Sequence, residues 1–291
     1  MNNKHRRVLW LLNHKTLMFY EVPLMLDLGF EVFVPKVIPK GVDFRSGTVD
    51  YQWDSSLTIP KHALDILGSF NFYEESWTPE IVRLINRYFG AVFIIPHGQQ
   101  PVEALMKFEG LIMFRAFGLD NSMTYIGALR ALYGMRIFKL IKAAGERFWF
   151  AQGYQQLAEC EAPLLASRDV FLPLGLPTSY WQHEETWRGG GGKILFVCPN
   201  LVTNSYYAAK YREFKDAFGA MPHVIVGAQD APVDDPNVRG FVTNEELVEL
   251  YQTSEALCYP SHERRHIHYS PIEAMVTGTP VVFYSVSLLA R

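Results

Sequence analysis

The chain has 291 residues, 49% of them hydrophobic and 20% charged, which is enough to bury cores in two domains and argues against disorder. A net charge of −3 lacks the basic surplus of a general nucleic-acid binder. Three cysteines, Cys160, Cys198 and Cys258, form no C-x-x-C pair and leave one over from any disulfide set, so they read as small core residues of a protein in a reducing cytoplasm.

The chain starts with a basic cluster, Lys4-His5-Arg6-Arg7. It is read as the solvated start of the first strand, with peripheral contact to an anionic membrane surface as the alternative. The apolar run behind it, Val8–Leu12, is too short for a signal peptide, and no stretch reaches the length of a membrane span. From there short apolar runs alternate with helical patterns, the signature of βαβ units and parallel sheets. Val8–Leu12 is a predicted strand, Thr16–Leu28 a helix closed by Gly29, and Glu31–Pro35 the next strand. Pro79–Phe89 is a helix with Thr78 as its N-cap, followed by a strand over Ala91–Ile95. Leu111–Phe114 is a further strand, Tyr125–Ala144 one long helix, and Arg147–Leu176 strand, helix, strand. Four glycines in a row, Gly189 to Gly192, read as a flexible hinge, so the domain boundary is expected near residues 180–192. The alternation restarts with strand Lys193–Cys198, helix Tyr206–Phe218, strand His223–Val226 and the turn-rich segment Asp230–Asn237. Helix Asn244–Thr253, strand Ala256–Tyr259, helix Pro271–Thr277 and strand Pro280–Tyr284 complete it. In open α/β sheets ligands bind beyond the carboxyl ends of the strands, which makes an interdomain cleft the expected site.

One segment concentrates the chemistry. Pro260-Ser261-His262-Glu263 follows a strand, and Ser270-Pro271-Ile272-Glu273 opens a helix that ends at Gly278. Ser270 as N-cap with Glu273 three residues on would make a capping box. The same helix N-terminus would also suit a diphosphate, and a carboxylate there could accept hydrogen bonds from both hydroxyls of a ribose. Basic candidates for the phosphates are Lys210, Arg212 and Lys215 on a helix, and Arg264, Arg265, His266 and His268 in the loop. His97, with Gly98, follows a predicted strand directly, as do Asn13 and His14 at the end of the first.

The stretch Arg239 to Val282 resembles the donor half of retaining GT-B glycosyltransferases of the family-4 (group 1) class. It carries in order a Gly-aromatic-Val strand end, a Glu-Glu-Leu helix, a Pro-Ser before an acidic residue, and Glu-Ala-Met followed by Gly-Thr-Pro-Val. The Leu-Gly-Phe-Glu-Val stretch at 28–32 and Pro173-Leu174-Gly175-Leu176-Pro177 extend the resemblance upstream. It implies an α/β protein of two Rossmann-like domains facing a cleft. An acceptor-side domain would cover 1–185, and a nucleotide-sugar-binding domain, incomplete at its C-terminus, 193–291. The implied reaction is metal-independent glycosyl transfer with retention, from a nucleotide-sugar donor to a glycan or lipid-linked acceptor. No cofactor beyond the donor is implied, and no nucleic-acid partner. Glu273 matches the glutamate that holds the ribose and Glu263 the one near the donor sugar, with His97 as a second catalytic candidate. Ser270, Arg265, His268, Lys210 and Lys215 would serve donor binding. His262, His266 and His268 are not expected to hold a metal, because such enzymes neutralise the leaving diphosphate with a helix dipole and basic side chains. The sequence departs from the pattern in three places. Nine residues separate Glu263 from Glu273 where the family has seven, so that a strict count falls on Arg265. The family's Arg and Lys after the first donor-domain strand are not evident, and seven residues follow the strand ending at Tyr284 where relatives continue. A catalytically silent GT-B module, binding a nucleotide-sugar or a partner transferase, is the rival reading. A nucleotide-sugar epimerase is a second enzyme reading on the same fold.

Overall fold

The computed structural model describes residues 3–12, 14–37, 55–119, 123–263 and 265–290. The candidates Asn13 and Arg264 lie outside these residues. The described chain separates into two compact units, one ending at Pro177 and the other beginning at Thr178.

The first unit is built on strands β1 (Arg7–Trp10), β2 (Glu31–Phe33), β3 (Ala91–Ile94), β4 (Leu111–Ala116), β5 (Phe148–Gln152) and β6 (Asp169–Phe171). They form a parallel sheet in the order β2-β1-β3-β4-β5-β6. Helices α1 (Lys15–Asp27), α2 (Lys61–Ser69), α3 (Pro79–Tyr88), α4 (Gln100–Lys107), α5 (Tyr125–Tyr133), α6 (Arg136–Ala144), α7 (Leu157–Cys160) and α8 (Pro163–Ala166) accompany it. Successive residues of β1 face opposite sides. Leu9 joins one core cluster, with Phe33, Ile85 and Phe150, while Val8 and Trp10 join another with Leu17, Val22 and Val34. A strand buried on both faces presents apolar side chains to both, which is why Val8, Leu9 and Trp10 show no alternation. Helix α3 starts as its sequence dictates, with the Thr78 hydroxyl accepting from the Ile81 amide and Pro79 in the first turn.

Several expectations are corrected here. Residues 125–144 are two helices, because Gly134 takes φ +64°, a left-handed conformation that ends α5. Arg7 is no part of a solvated basic start: it is buried, and its Nε donates to Glu31 Oε2 at 2.6 Å. Cys160 is exposed, whereas Cys198 and Cys258 are buried and their thiols are pushed up to about 12 by burial. A second buried pair ties the first unit together. Glu21 accepts from Arg115 Nε at 2.6 Å and from Trp10 Nε1 at 3.0 Å, while Arg115 also donates to the Ala151 and Pro173 carbonyls.

The second unit holds β7 (Ile194–Val197), α9 (Ser205–Phe218), β8 (His223–Val226), β9 (Val238–Gly240), α10 (Asn244–Thr253), β10 (Ala256–Tyr259), α11 (Tyr269–Thr277) and β11 (Val281–Phe283). Its parallel sheet has the order β11-β10-β7-β8-β9. Ile194 and Phe196 face a cluster with Phe214, and Leu195 faces another with Val224, Tyr251 and Ala274. Helix α10 opens on a complete capping box, Thr243 Oγ1 accepting from the Glu246 amide and Glu246 Oε2 from the Thr243 amide. The four-glycine segment lies inside this unit and is fastened to the end of α10. The Gly189 amide donates to the Gln252 carbonyl, that of Gly191 to the Thr253 carbonyl, and that of Gly192 to Glu255 Oε1. It is therefore a bound strap on α10, and the boundary between the units precedes it by about a dozen residues.

Candidate functional site

In each sheet the strand order reverses once, and the crevice at such a reversal is where an open α/β sheet offers a ligand site. In the first unit the reversal falls at β1 and β3. The loop after β3 carries His97, partly buried, whose amide donates to the Ile95 carbonyl at 2.8 Å. In the loop after β1, His14 Nδ1 accepts from the Leu17 amide at 3.3 Å, so this histidine is the N-cap of α1. Gln100 is fully buried and its Nε2 donates to the Leu11 carbonyl at 3.0 Å.

In the second unit the reversal falls at β7 and β10, and here the polar chemistry is denser. The loop after β7 is fixed by Gln229, whose Nε2 donates to the Cys198 and Gly227 carbonyls while its Oε1 accepts from the Leu201 amide. Within that loop Asn200 takes φ +49°, a conformation asparagine tolerates better than most residues. Asn204 then caps α9 by accepting from the Tyr206 and Tyr207 amides.

The loop after β10 leads to α11, and its last residue, His268, is held from two sides. Its Nδ1 lies 3.1 Å from the Tyr259 hydroxyl and its Nε2 3.3 Å from the Tyr207 hydroxyl. Its amide also donates to the Tyr259 hydroxyl, so that oxygen can return its own proton to Nδ1, which leaves the Nε2 proton for Tyr207. His268 is the N-cap of α11, but its side chain makes no capping bond. The helix therefore presents an N-terminus without a side-chain cap at the carboxyl end of β10, with its partial positive charge. The rings of His266 and His268 lie 4.4 Å apart, and His262 packs edge-on against Tyr284 at 4.1 Å. Among the described residues no group of three His, Cys, Asp or Glu side chains is arranged to hold a metal ion.

The expected capping box on α11 does not form. The helix begins at Tyr269, so Ser270 is its second residue rather than its cap, and Glu273 is the fifth, past the reach of a capping box. Glu273 turns instead to Tyr251 in the last turn of α10, whose hydroxyl donates to Oε2 at 3.1 Å. Burial pushes the Glu273 carboxyl up from its usual range, and the Tyr251 bond only partly offsets this. Glu263 is buried at 6% exposure in the loop after β10, its carbonyl accepting from the Leu288 amide. Arg265 is partly buried in the same loop.

The two lysines on α9 part company. Lys210 Nζ lies 3.0 Å from Glu213 Oε1, and Glu213 Oε2 lies 3.9 Å from His262 Nε2, which links Lys210 to the β10 loop. Lys215 is at the wrong end of the sheet. Its Nζ donates to Asp235 Oδ2 at 2.9 Å and approaches His223 Nε2 at 3.1 Å, and His223 is the first residue of β8, at its amino end. A helix that follows a strand runs back along it, so a residue late in α9 belongs at the foot of the sheet; that signal was available in the order of the elements. Tyr207, Tyr251 and Tyr259, which hold His268 and Glu273, were not singled out from the sequence.

The second unit also has a pocket of about 370 Å³ behind α11, lined by Trp181, Glu184, Glu185, Ile272, Met275 and Val276. No helix among the described residues is long and apolar enough to cross a membrane.

No protein-family model and no curated protein matches the chain. Among solved structures it is similar to Anabaena Alr3699/HepE in complex with UDP and glucose, with TM-score 0.55 and 11% identity over 98% of this chain and 82% of that one. It is also similar to an α-glucosyltransferase (AGT) in complex with UDP, with TM-score 0.52 and 12% identity over 96% of this chain and 80% of that one. A third similar structure is an α-glucosyltransferase with UDP-glucose and DNA containing an abasic site, with TM-score 0.53 and 10% identity over 97% and 80% of the two chains. At such identities the likeness is one of architecture. Two parallel α/β units whose strand orders each reverse once, aligned over nearly the whole chain, define the GT-B glycosyltransferase fold.

Proposed function

We propose that this protein is a glycosyltransferase that takes a glycosyl unit from a nucleotide-sugar, with retention and without a metal ion, and passes it to a glycan or lipid-linked acceptor. The observation that carries the proposal is the N-terminus of α11. It lies without a side-chain cap at the carboxyl end of β10, beside the reversal of strand order, with Glu273 on the same helix. A diphosphate there would meet backbone amides and a positive dipole end. His268, and Lys210 through its link to the β10 loop, are the side chains that would add to this field, while Glu273 would accept from the ribose hydroxyls. Negative charge developing on the leaving diphosphate would be stabilised by the same groups. Ser270 and Arg265, at and before the start of α11, would serve donor binding as well. Glu263 and His97 remain the candidates for contact with the transferred sugar, each in the loop that follows a central strand of its own unit. The three solved structures named above contain UDP or UDP-glucose, which makes a uridine donor the first to try.

The rival, a module that binds the nucleotide-sugar without transferring it, draws on the commitment of Lys215 to Asp235 and of Lys210 to Glu213, which leaves the diphosphate fewer cations. One experiment separates the readings. Calorimetric titration with UDP, GDP and ADP, each with and without EDTA, should show one of them binding with an affinity that chelation leaves unchanged. Loss of binding in EDTA would overturn the metal-independent reading, and binding of none would overturn the donor site. Hydrolysis or transfer of the matching nucleotide-sugar then distinguishes enzyme from silent module.

A further inference from the structure

We propose that Tyr251 is a positioning residue for nucleotide binding: its hydroxyl fixes one oxygen of Glu273 so that the other is presented to the two hydroxyls of a ribose. The inference rests on the reading of Glu273 as the ribose acceptor. Tyr251 is fully buried, and both of its ends are held. Its carbonyl accepts from Thr279 Oγ1 at 2.7 Å and its hydroxyl donates to Glu273 Oε2 at 3.1 Å. Packing alone would be served equally well by phenylalanine, since the ring lies among Leu195, Val224, Leu257 and Ala274. A buried hydroxyl costs free energy unless bonded, and this one has the carboxylate as its partner. Burial, with the Glu273 carboxylate beside it, pushes the Tyr251 phenol well above its ordinary range, so it stays a donor at every working pH.

Glu273 is fixed from its own helix as well. Its carbonyl accepts from Thr277 Oγ1 at 2.9 Å, and the Tyr180 hydroxyl lies 3.4 Å from that same Oγ1. Among the described residues Oε1 of Glu273 has no hydrogen-bond donor, and the residue is partly exposed. A carboxylate oriented by one bond and open at its other oxygen suits a vicinal diol better than one that rotates freely, because the ordering cost has been met before the ligand arrives. The bond also lowers the carboxyl's proton affinity and so offsets part of the upward push of burial.

The test uses the full chain, and compares UDP, GDP or ADP, whichever binds in the titrations above, with its 2′-deoxy counterpart across about pH 5 to 8. In the unmodified protein the ribonucleotide should be preferred by about tenfold. Its affinity should fall as pH falls through the Glu273 pKa, while the deoxy compound changes less. Tyr251→Phe should cut the preference by about threefold or more and move the pH midpoint upward. Replacing Tyr251 by 3-fluorotyrosine, a stronger donor of nearly the same shape, should move the midpoint downward, and this variant decides the matter if the phenylalanine protein does not fold. Since each preference is a ratio within one preparation, a change in folded fraction cancels. An unchanged ratio and midpoint in the Tyr251 variants would overturn the positioning role while leaving Glu273 in place. Equal binding of ribo and deoxy ligands by the unmodified protein, or an unaltered preference in Glu273→Gln, would instead remove the ribose reading itself.

Discussion

Asp235 and Glu273 belong to the same unit, and each receives a hydrogen bond from a tyrosine hydroxyl, yet their carboxyl groups are driven in opposite directions. Asp235 accepts from Tyr211 at 2.8 Å, from Lys215 at 2.9 Å, and from the Asn237 amide and side chain at 2.9 and 3.1 Å. Desolvation pushes its pKa up, but these bonds win and hold it well below the usual carboxylate range. Among the described residues Glu273 has the Tyr251 hydroxyl alone as donor, and there desolvation wins. The number of donors distinguishes a saturated carboxylate that ties the turn before β9 to α9 from an under-supplied one near the head of the sheet. The second kind is held in a state that a ligand's hydroxyls would relieve.

Lys215→Met should break the saturated site most severely. It should cost about 1.5–3 kcal/mol of stability near neutral pH, the range for a hydrogen bond to a charged group, and leave nucleotide affinity unchanged. The pH dependence follows from the depressed folded pKa of Asp235. Its contribution is fully present above the unfolded value near 3.9 and is lost as pH falls from there towards the folded pKa. Denaturant unfolding at several pH values should show a shallower acid limb in the variant, and an affinity loss would mean that Lys215 does reach the ligand.

Glu273→Gln should give the mirror image. Affinity for the bound nucleoside diphosphate should fall about tenfold, equivalent to about 1.4 kcal/mol. The melting temperature at neutral pH should hold or rise, because a carboxyl with a raised folded pKa weighs against the native state once it is ionised. A variant that melts lower and binds normally would make Glu273 a structural residue. The smallest effect is expected for Tyr211→Phe, a stability loss of about 1 kcal/mol with no change in affinity, since three donors to Asp235 remain.

Local signals carried much of the fold. β8, α10 and β10 fall on the predicted residues because a Val-Ile-Val run marks the first, a capping box the second and a short apolar run the third, each within a few neighbouring positions. The start of α11 was read from Ser-Pro as cap and first turn, but proline also fits the third helical position, and the Tyr259 hydroxyl takes up the His268 amide two residues earlier. Residues 125–144 read as one helix because Gly134 can sit within a periodic pattern, and only its left-handed dihedral shows the break. At the candidate site, Glu273 was picked out as a candidate from its motif, but its partner Tyr251 was not. Tyr251 is 22 residues away on another helix, and Tyr207 is 61 residues from His268. Such pairings are decided by how helices settle on a sheet, which periodicity within one segment does not record.

The glycine strap shows how four identical letters can answer to different constraints. Gly190 and Gly192 have open space where a side chain would begin, but take φ +83° and +64°, so handedness of the backbone is what excludes other residues there. Gly191 has an ordinary dihedral, yet a Cβ on it would stand 2.6 Å from the Thr253 carbonyl oxygen, so there the exclusion is one of volume. A segment whose composition suggests a tether is thus a template fitted to the end of a helix. Lengthening or shortening it by one glycine would leave its composition nearly unaltered, but would put each dihedral and each contact out of register.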